Sequence, residues 1–390
     1  MQFKFTHLII IYFPALFIDY AFGSVLSNSS FYSSYLNFSS SFFGLLVAVA
    51  TLCYTLLAIP MGKFSDRIDR RKMLYAGCLL LAVVGLLLPY CSKKIHLLLI
   101  FPCIGISMSL FWPAYEAWLA EREGEGKLIH RVMLFNLFWS TGLTLGPAFS
   151  GYLYQDTNPF RPFYLSSLFG IITIGVITIC KPKQPTENIV ENDNSSQTLF
   201  PSAKTRNSYL NIARCANFAS YFTLGVLRWL APKLTKEMGI PPSMFGNMML
   251  ALGGIQPIAF LFLGTGYSTR WHYRLNPLIV VQILSIISLI VIGIIQNNII
   301  WICAFIIIGI SVAFTYFSSL YYGLDRHEDM GNKSGWHEAI LGLGSLLGPL
   351  LGGFVSDSKY GTQSPYILCA GVICISIVVE ILLKPKNQDV

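Results

Sequence analysis

Twelve runs of mostly apolar residues, each long enough to cross a bilayer as a helix of about twenty residues, divide this chain almost from end to end. They cover 6–26, 40–61, 73–91, 96–118, 131–154 and 163–181, then 207–230, 243–266, 275–296, 299–322, 336–356 and 364–383. Charged residues make up 12% of the chain and apolar residues 54%. A single aqueous core does not absorb that much apolar surface, so lipid is the remaining solvent. The expected fold is an all-α membrane protein of twelve transmembrane helices. The first run follows Lys4 and His7, a weakly basic start like that of a signal peptide, yet it has no small-x-small cleavage site. It is read as the first span. The one long polar stretch, 182–206, is rich in Pro, Asn and Ser and reads as a linker between halves 1–181 and 207–390.

The halves repeat. A shift of 202 residues lays Ser41-x-Phe43-Gly44 on Ser243-x-Phe245-Gly246 and Gly62 on Gly264. The same shift lays Gly142-x-x-x-Gly146-Pro147 on Gly344-x-x-x-Gly348-Pro349, and Gly151 on Gly353, without a gap. Such a set in one register is not chance, and it predicts two pseudo-symmetric six-helix bundles with a site between them near the membrane midplane.

Lys and Arg fix the orientation expected. With both termini and the 62–72 loop in the cytoplasm, nineteen cations fall inside and six outside, with Arg214 and Arg228 within the seventh run. Trp118, Trp229, Trp271, Trp301 and Trp336 lie near helix ends, as interfacial aromatics do. Asn28-Ser29-Ser30 and Asn37-Phe38-Ser39 are glycosylation sequons in the expected first outside loop. The nine cysteines lie in apolar runs, with no Cys-x-x-Cys and no metal-ligand spacing. No metal and no cofactor are expected. The net charge of +8 is scattered through short loops rather than gathered on one face, which argues against a nucleic-acid partner.

The segment Gly62-Lys63-Phe64-Ser65-Asp66-Arg67-Ile68-Asp69-Arg70-Arg71-Lys72 packs five cations and two carboxylates between two apolar spans. Its Gly-x-x-x-Asp-Arg-x-x-Arg-Arg-Lys spacing resembles the signature loop between the second and third helices of the major facilitator superfamily. Asp69 stands where that family usually has Gly. The equivalent loop of the second half has decayed, with Ser268 opposite Asp66 and His272 opposite Arg70. The resemblance implies a cytoplasmic gate built from Gly62, Asp66, Arg67, Arg70, Arg71, Glu116 and Glu121. In it Asp66 faces the helix beginning near Gly335-Trp336-His337-Glu338 when the protein is open outward, and Arg70 pairs with Glu116 or Glu121. Opening inward breaks that latch. The plainer reading is a basic loop that only sets topology.

Gly142, Gly146, Pro147 and Gly151, with their copies Gly344, Gly348, Pro349 and Gly353, read as helix-packing motifs. The first set also resembles the fifth-helix motif of the family's drug/proton antiporters. Asp19 is the deepest carboxylate, no second one accompanies it, and it is the proton-coupling candidate. The alternatives for it are a fixed ion pair with a neighbouring helix, or a direct hydrogen bond to substrate. The fourth run carries no Arg where proton antiporters often do. Trp112, Tyr115, Asn136, Trp139, Asn217, Tyr221, Asn247, Gln256 and Tyr316 are the candidates for lining a cavity. No nucleotide-binding loop and no nucleophile–base spacing occur, so neither ATP drive nor an enzyme is expected. The resemblance implies a monomeric secondary transporter in the cell membrane, with a small-molecule substrate, protons and lipid as partners. Proton-coupled efflux by alternating access is the first expectation, and import or facilitated passage of a polar metabolite is the alternative. A non-transporting sensor on the same fold is a further one.

Overall fold

The computed structural model describes residues 9–120, 128–180, 202–264, 271–324 and 330–385. Six helices form the first half: α1 Phe13–Tyr35, α2 Ser40–Ser65, α3 Arg70–Leu87, α4 Lys94–Ala120, α5 Leu128–Leu153 and α6 Arg161–Ile179. In the second, α7 runs Ala203–Gly225, passes through a π turn Val226–Leu230, and continues as Ala231–Glu237. It is followed by α8 Pro242–Gly264, α9 Leu275–Ile294, α10 Asn298–Leu324, α11 Met330–Ser356 and α12 Ser364–Leu383. Residues 182–201 of the expected linker and Glu121 lie outside the described residues. The last linker residues are already helix, capped by Ser202, whose side chain accepts the Thr205 N–H.

Packing follows the repeat. In the first half α1 lies on α5 and α6, while α4 lies on α2 and α3; in the second α7 lies on α11 and α12, while α10 lies on α8 and α9. The halves are joined chiefly by α2 with α11, α5 with α8, and α1 with α7. Among the described residues nine helices are long and apolar enough to cross a membrane. Helices α1, α5 and α7 are not among them. These three pack across the junction of the halves, where their neighbours are protein rather than lipid, so they need not be apolar all round.

That same burial moves an expected boundary. The first span does not end at residue 26: α1 continues to Tyr35 through Ser27, Asn28, Ser29, Ser30 and Ser33, all buried. Asn28 is therefore inside the protein, with its amide donating to the Pro159 carbonyl at 3.0 Å, and not in an outside loop. Likewise Trp118 and Trp301 are 1% exposed, core rather than interfacial, whereas Trp336 is exposed.

For topology, Ser65 and Ser33 are both buried and make poor probes. Ile68 and Thr157 are exposed on opposite ends of the first half. In a cysteine-free background, Ile68→Cys is expected to react with a membrane-impermeant maleimide only from the cytoplasm. Thr157→Cys is expected to react only from outside. Reaction of both from one side would contradict the twelve-span arrangement.

Candidate site between the two halves

The glycines decide how closely helices approach. A Cβ on Gly142 would stand 2.1 Å from the Leu16 carbonyl oxygen, and one on Gly146 2.3 Å from that of Tyr20. In the second half a Cβ on Gly344 would stand 2.8 Å from the Phe218 oxygen, and one on Gly348 2.1 Å from that of Phe222. These are the same crossing repeated 202 residues on, α5 against α1 and α11 against α7. The Pro147 ring rests on Gly23 and the Pro349 ring on Gly225, again equivalent positions. Gly151 and Gly353 act between the halves instead. Each would put a Cβ 2.4 Å from a carbonyl oxygen, of Pro242 on α8 and of Ser40 on α2 respectively. Gly62 is different: a Cβ there meets only Pro113 at an ordinary 3.5 Å.

At one end the halves are sealed by polar contacts. The Asp357 carboxylate, after α11, accepts the N–H groups of Ser40 (2.9 Å) and Ser41 (2.7 Å) at the start of α2. A carboxylate suits a helix N-terminus, where unpaired N–H groups and the helix dipole both favour negative charge. Lys236 Nζ reaches Asp156 Oδ1 at 2.5 Å and Tyr154 Oη at 2.7 Å. Tyr152 Oη donates to Asn247 Oδ1 at 2.5 Å. Asn247 therefore belongs to this seal and not to a cavity wall, where its sequence position suggested it would lie.

Helices α1 and α7 complete the seal by an exchange of backbone partners. Pro232 has no N–H, so the Arg228 carbonyl lacks its usual donor four residues on, and Ser27 Oγ donates to it at 3.3 Å. Ser30 Oγ accepts the Lys233 N–H at 3.0 Å and donates to the Leu230 carbonyl at 3.4 Å. The π turn at 226–230 is thus held by hydroxyls from the other half.

Both sealing carboxylates are tuned in the same direction. Lys236, donating to Asp156, holds that carboxyl below the usual range. Burial pushes Asp357 up, but the Ser41 and Ser40 hydrogen bonds outweigh it and leave Asp357 lowered as well. A lowered pKa means the contribution is complete above the ordinary carboxylate value and disappears as pH falls through the lowered one. The seal is accordingly expected to hold at neutral and mildly acidic pH. Asp357→Ala removes a cap of about 1–2 kcal/mol, and is expected to raise the population open at this end by about 5–30-fold. Spin labels at Thr157 and Lys359, both exposed on opposite halves of the sealed end, should report a longer distance. An unchanged distance distribution would show that the cap does not set this equilibrium.

At the other end lies the charged loop of the first half. Arg70 Nη2 donates to Asp66 Oδ1 at 3.0 Å, with side chains 23% and 66% exposed. So Arg70 turns to Asp66 of its own loop, and Glu121, one of its two expected partners, lies outside the described residues. An exposed pair four residues apart on one chain contributes only about 0.3–0.5 kcal/mol, little hindrance to re-pairing. Arg67 is exposed. Arg71 donates to the Cys180 carbonyl at the end of α6, where a cation suits the helix C-terminus. Asp69 is the N-cap of α3 and accepts the Arg71 N–H at 3.0 Å, which is what a carboxylate does in place of the usual Gly.

Between the sealed end and this loop lies a set of charges and phenols. Asp19 of α1 is 4% exposed and Arg228 of α7 5%. Each lies within Coulombic reach of the other and of Tyr221. No described side chain stands within hydrogen-bonding or ion-pair distance of either charge. Tyr221 occupies the repeat position of Asp19, and Arg228 lies two turns further toward the seal. Glu116 of α4 and Glu338 of α11 are exposed although they sit in apolar spans. They lie within Coulombic reach of each other and of Tyr54 and Tyr316. Since one comes from each half, both face the space between the halves.

Other expected cavity residues divide. Tyr221, Trp112 and Asn136 are half-buried, and Asn136 accepts the Trp139 indole N–H at 2.8 Å. Trp139 meets Tyr316 across the halves, ring centroids 6.1 Å apart. Tyr115 is not a wall residue: it is fully buried in the first half, its hydroxyl donating to the Ile11 carbonyl at 2.9 Å. Asn217 and Gln256 are also buried, and neither Asn217 side-chain atom nor Gln256 Nε2 has a partner. Sequence reasoning missed Tyr54, which carries no signal in an apolar run. It also missed Glu380 as a second deep carboxylate. Glu380 is fully buried, accepting from Gln282 (2.7 Å) and Ser376 (2.7 Å) on α9 and α12. Lying three residues from its helix end at Leu383, it reads in sequence as a terminal charge.

The sequence profile described as the Major Facilitator Superfamily matches residues 8–336. The chain belongs to that superfamily. An MFS-type transporter of Mycobacterium tuberculosis is 21% identical over 349 residues, covering 86% of this chain and 82% of the relative. The multidrug resistance protein MdtG of Proteus mirabilis is 22% identical, covering 84% and 82%. Among solved structures, a mutant of the nucleoside transporter NupG superposes with a TM-score of 0.73 at 12% identity, covering 97% of this chain and all of that one. A bacterial homologue of the human lysosomal transporter Spinster, in an inward-facing and unoccupied conformation, gives 0.72 at 15% identity, covering 98% and 95%. These structural likenesses carry the fold alone. Within the superfamily fold, the charges found here lie where the two bundles face each other.

Proposed function

We propose that this superfamily member is a secondary transporter that exports a small solute by alternating access in exchange for protons. The observation that carries this is the placing of Asp19 and Arg228, one from each half, in the membrane interior. Uncompensated charge there is costly, and it is found where solute or protons pass. Because each half supplies one charge, whatever neutralises either changes the attraction between the halves. A proton on Asp19 does so from one side and a solute from the other. Export in particular is supported by relatives named as multidrug resistance proteins.

On this reading the basic loop faces the cytoplasm, following the nineteen-to-six cation count. The sealed end, with Asp357 on the start of α2 and Lys236 on Asp156, is then the outer one. The loop re-forms its contacts when the inner side closes, with Asp66 moving to the start of α11. Asp66→Asn is expected to keep expression normal and speed labelling of a cysteine at the inner mouth. Unchanged labelling and transport would leave the loop a topology signal only. The transport reading itself is tested by counterflow in proteoliposomes with a panel of cationic, anionic, neutral and zwitterionic solutes. Accelerated exchange of at least one solute is expected. Binding without any exchange would replace transporter by sensor.

A further inference from the structure

We propose that the site between the halves takes a small zwitterion, a solute carrying an amine and an acid group beside an aryl group. The inference rests on the transport reading above and narrows it to a substrate class. Asp19 and Arg228 are close enough to interact electrostatically and belong to facing helices, yet they make no direct ion pair. Opposite charges that share a membrane interior normally pair with each other. Here both are buried, and each keeps its hydrogen-bonding capacity, two carboxylate oxygens on one side and five guanidinium N–H groups on the other.

A solute with one charge would satisfy one of them and leave the other with like charge beside it. An amine–acid solute satisfies both, the ammonium on Asp19 and the acid on the planar guanidinium fork. Further carboxylates, Glu116 and Glu338, lie within Coulombic reach of Tyr54, as Asp19 does, on the side of the basic loop. They lie on the route of entry and add attraction for the amine end. Aromatic rings supply the rest. Tyr316 stands 6.1 Å from Tyr221, 5.9 Å from Phe260 and 5.2 Å from the His337 ring. On α7, Asn217 lies one turn from Tyr221 on the same helix face, and its amide is fully buried with both polar atoms unpartnered. That is a second, uncharged group in this region with hydrogen bonds still to make.

The test uses the full chain in nanodiscs and three probes of nearly one shape. These are phenylalanine (both charges), β-phenethylamine (amine only) and 3-phenylpropionate (acid only). A hydrogen bond to a charged group is worth enough that losing either end is expected to weaken binding about tenfold or more. Asp19→Asn should then make phenylalanine and 3-phenylpropionate bind alike. Arg228→Gln should make phenylalanine and β-phenethylamine bind alike. Equal binding of the amine and phenylalanine by the parent would make the site a cation site and overturn the proposal. Equal binding of the acid and phenylalanine would do the same for an anion site. So would binding of none of the three, or a uniform loss with all three in either variant. Counterflow separates the two readings: zwitterion binding without exchange sinks transport but not the substrate class, and exchange of the amine alone sinks the class but not transport.

Discussion

Gly142→Ala and Gly348→Ala are each expected to destabilise the protein by about 1–3 kcal/mol, the cost of forcing atoms into a filled interior. The added Cβ would stand 2.1 Å from a backbone carbonyl oxygen in both cases, Leu16 in one and Phe222 in the other. A carbonyl within a helix cannot swing aside as a flexible side chain can, so the two helices must separate. In a membrane, helix pairs are held largely by close van der Waals packing, so separation removes much of what joins α1 to α5 and α7 to α11. The two sites lie in different halves and share no partner, so the double variant is expected to lose about the sum. Gly254→Ala and Gly371→Ala are the controls. Both lie within helices, with nothing inside 4 Å of the place an added methyl would take, and alanine there is expected to gain about 0.5–1 kcal/mol from backbone entropy. Denaturation midpoints in one detergent measure all five proteins. If the crossing variants match the controls, the glycines are not packing residues.

Asp19→Asn is expected to abolish uphill movement while leaving exchange. If one proton is exchanged per solute, a pH difference of one unit sustains about a tenfold solute gradient, equivalent to about 1.4 kcal/mol. Asparagine keeps the shape and much of the hydrogen bonding of aspartate but cannot take up or release a proton. The accumulated ratio is expected to fall to one, with counterflow persisting for a solute that does not depend on the Asp19 charge. The substitution also removes the opposite charge within Coulombic reach of Arg228, which destabilises by less than the ~3–5 kcal/mol that breaking a direct buried pair costs. Adding Arg228→Gln separates the effects: the double variant should recover stability and still fail to concentrate solute. Accumulation by Asp19→Asn equal to the parent would remove Asp19 as the coupling site.

What the sequence determined by itself was the part governed by periodic and local rules. Apolar runs located nine helices sharply, because lipid-facing helices must be apolar along their whole length, and α1, α5 and α7 only approximately, because they face protein. The shift of 202 residues paired Gly142 with Gly344 and Gly151 with Gly353 without reference to any contact, since equivalent crossings need equivalent small residues. Asp19 stood out because a carboxylate among apolar neighbours is rare. The tertiary structure decided everything that depends on what a residue faces. The ends of α1 and α7 run past their apolar stretches because protein, not lipid, surrounds them there, and hydropathy reads only the lipid. Arg228, which the sequence placed only somewhere within the seventh run, is buried within Coulombic reach of Asp19. Asn247 and Tyr115 left the cavity for a seal and a core. Asp357 caps a helix more than three hundred residues away along the chain. No rule of spacing relates such positions, because only the packing of one half against the other brings them together.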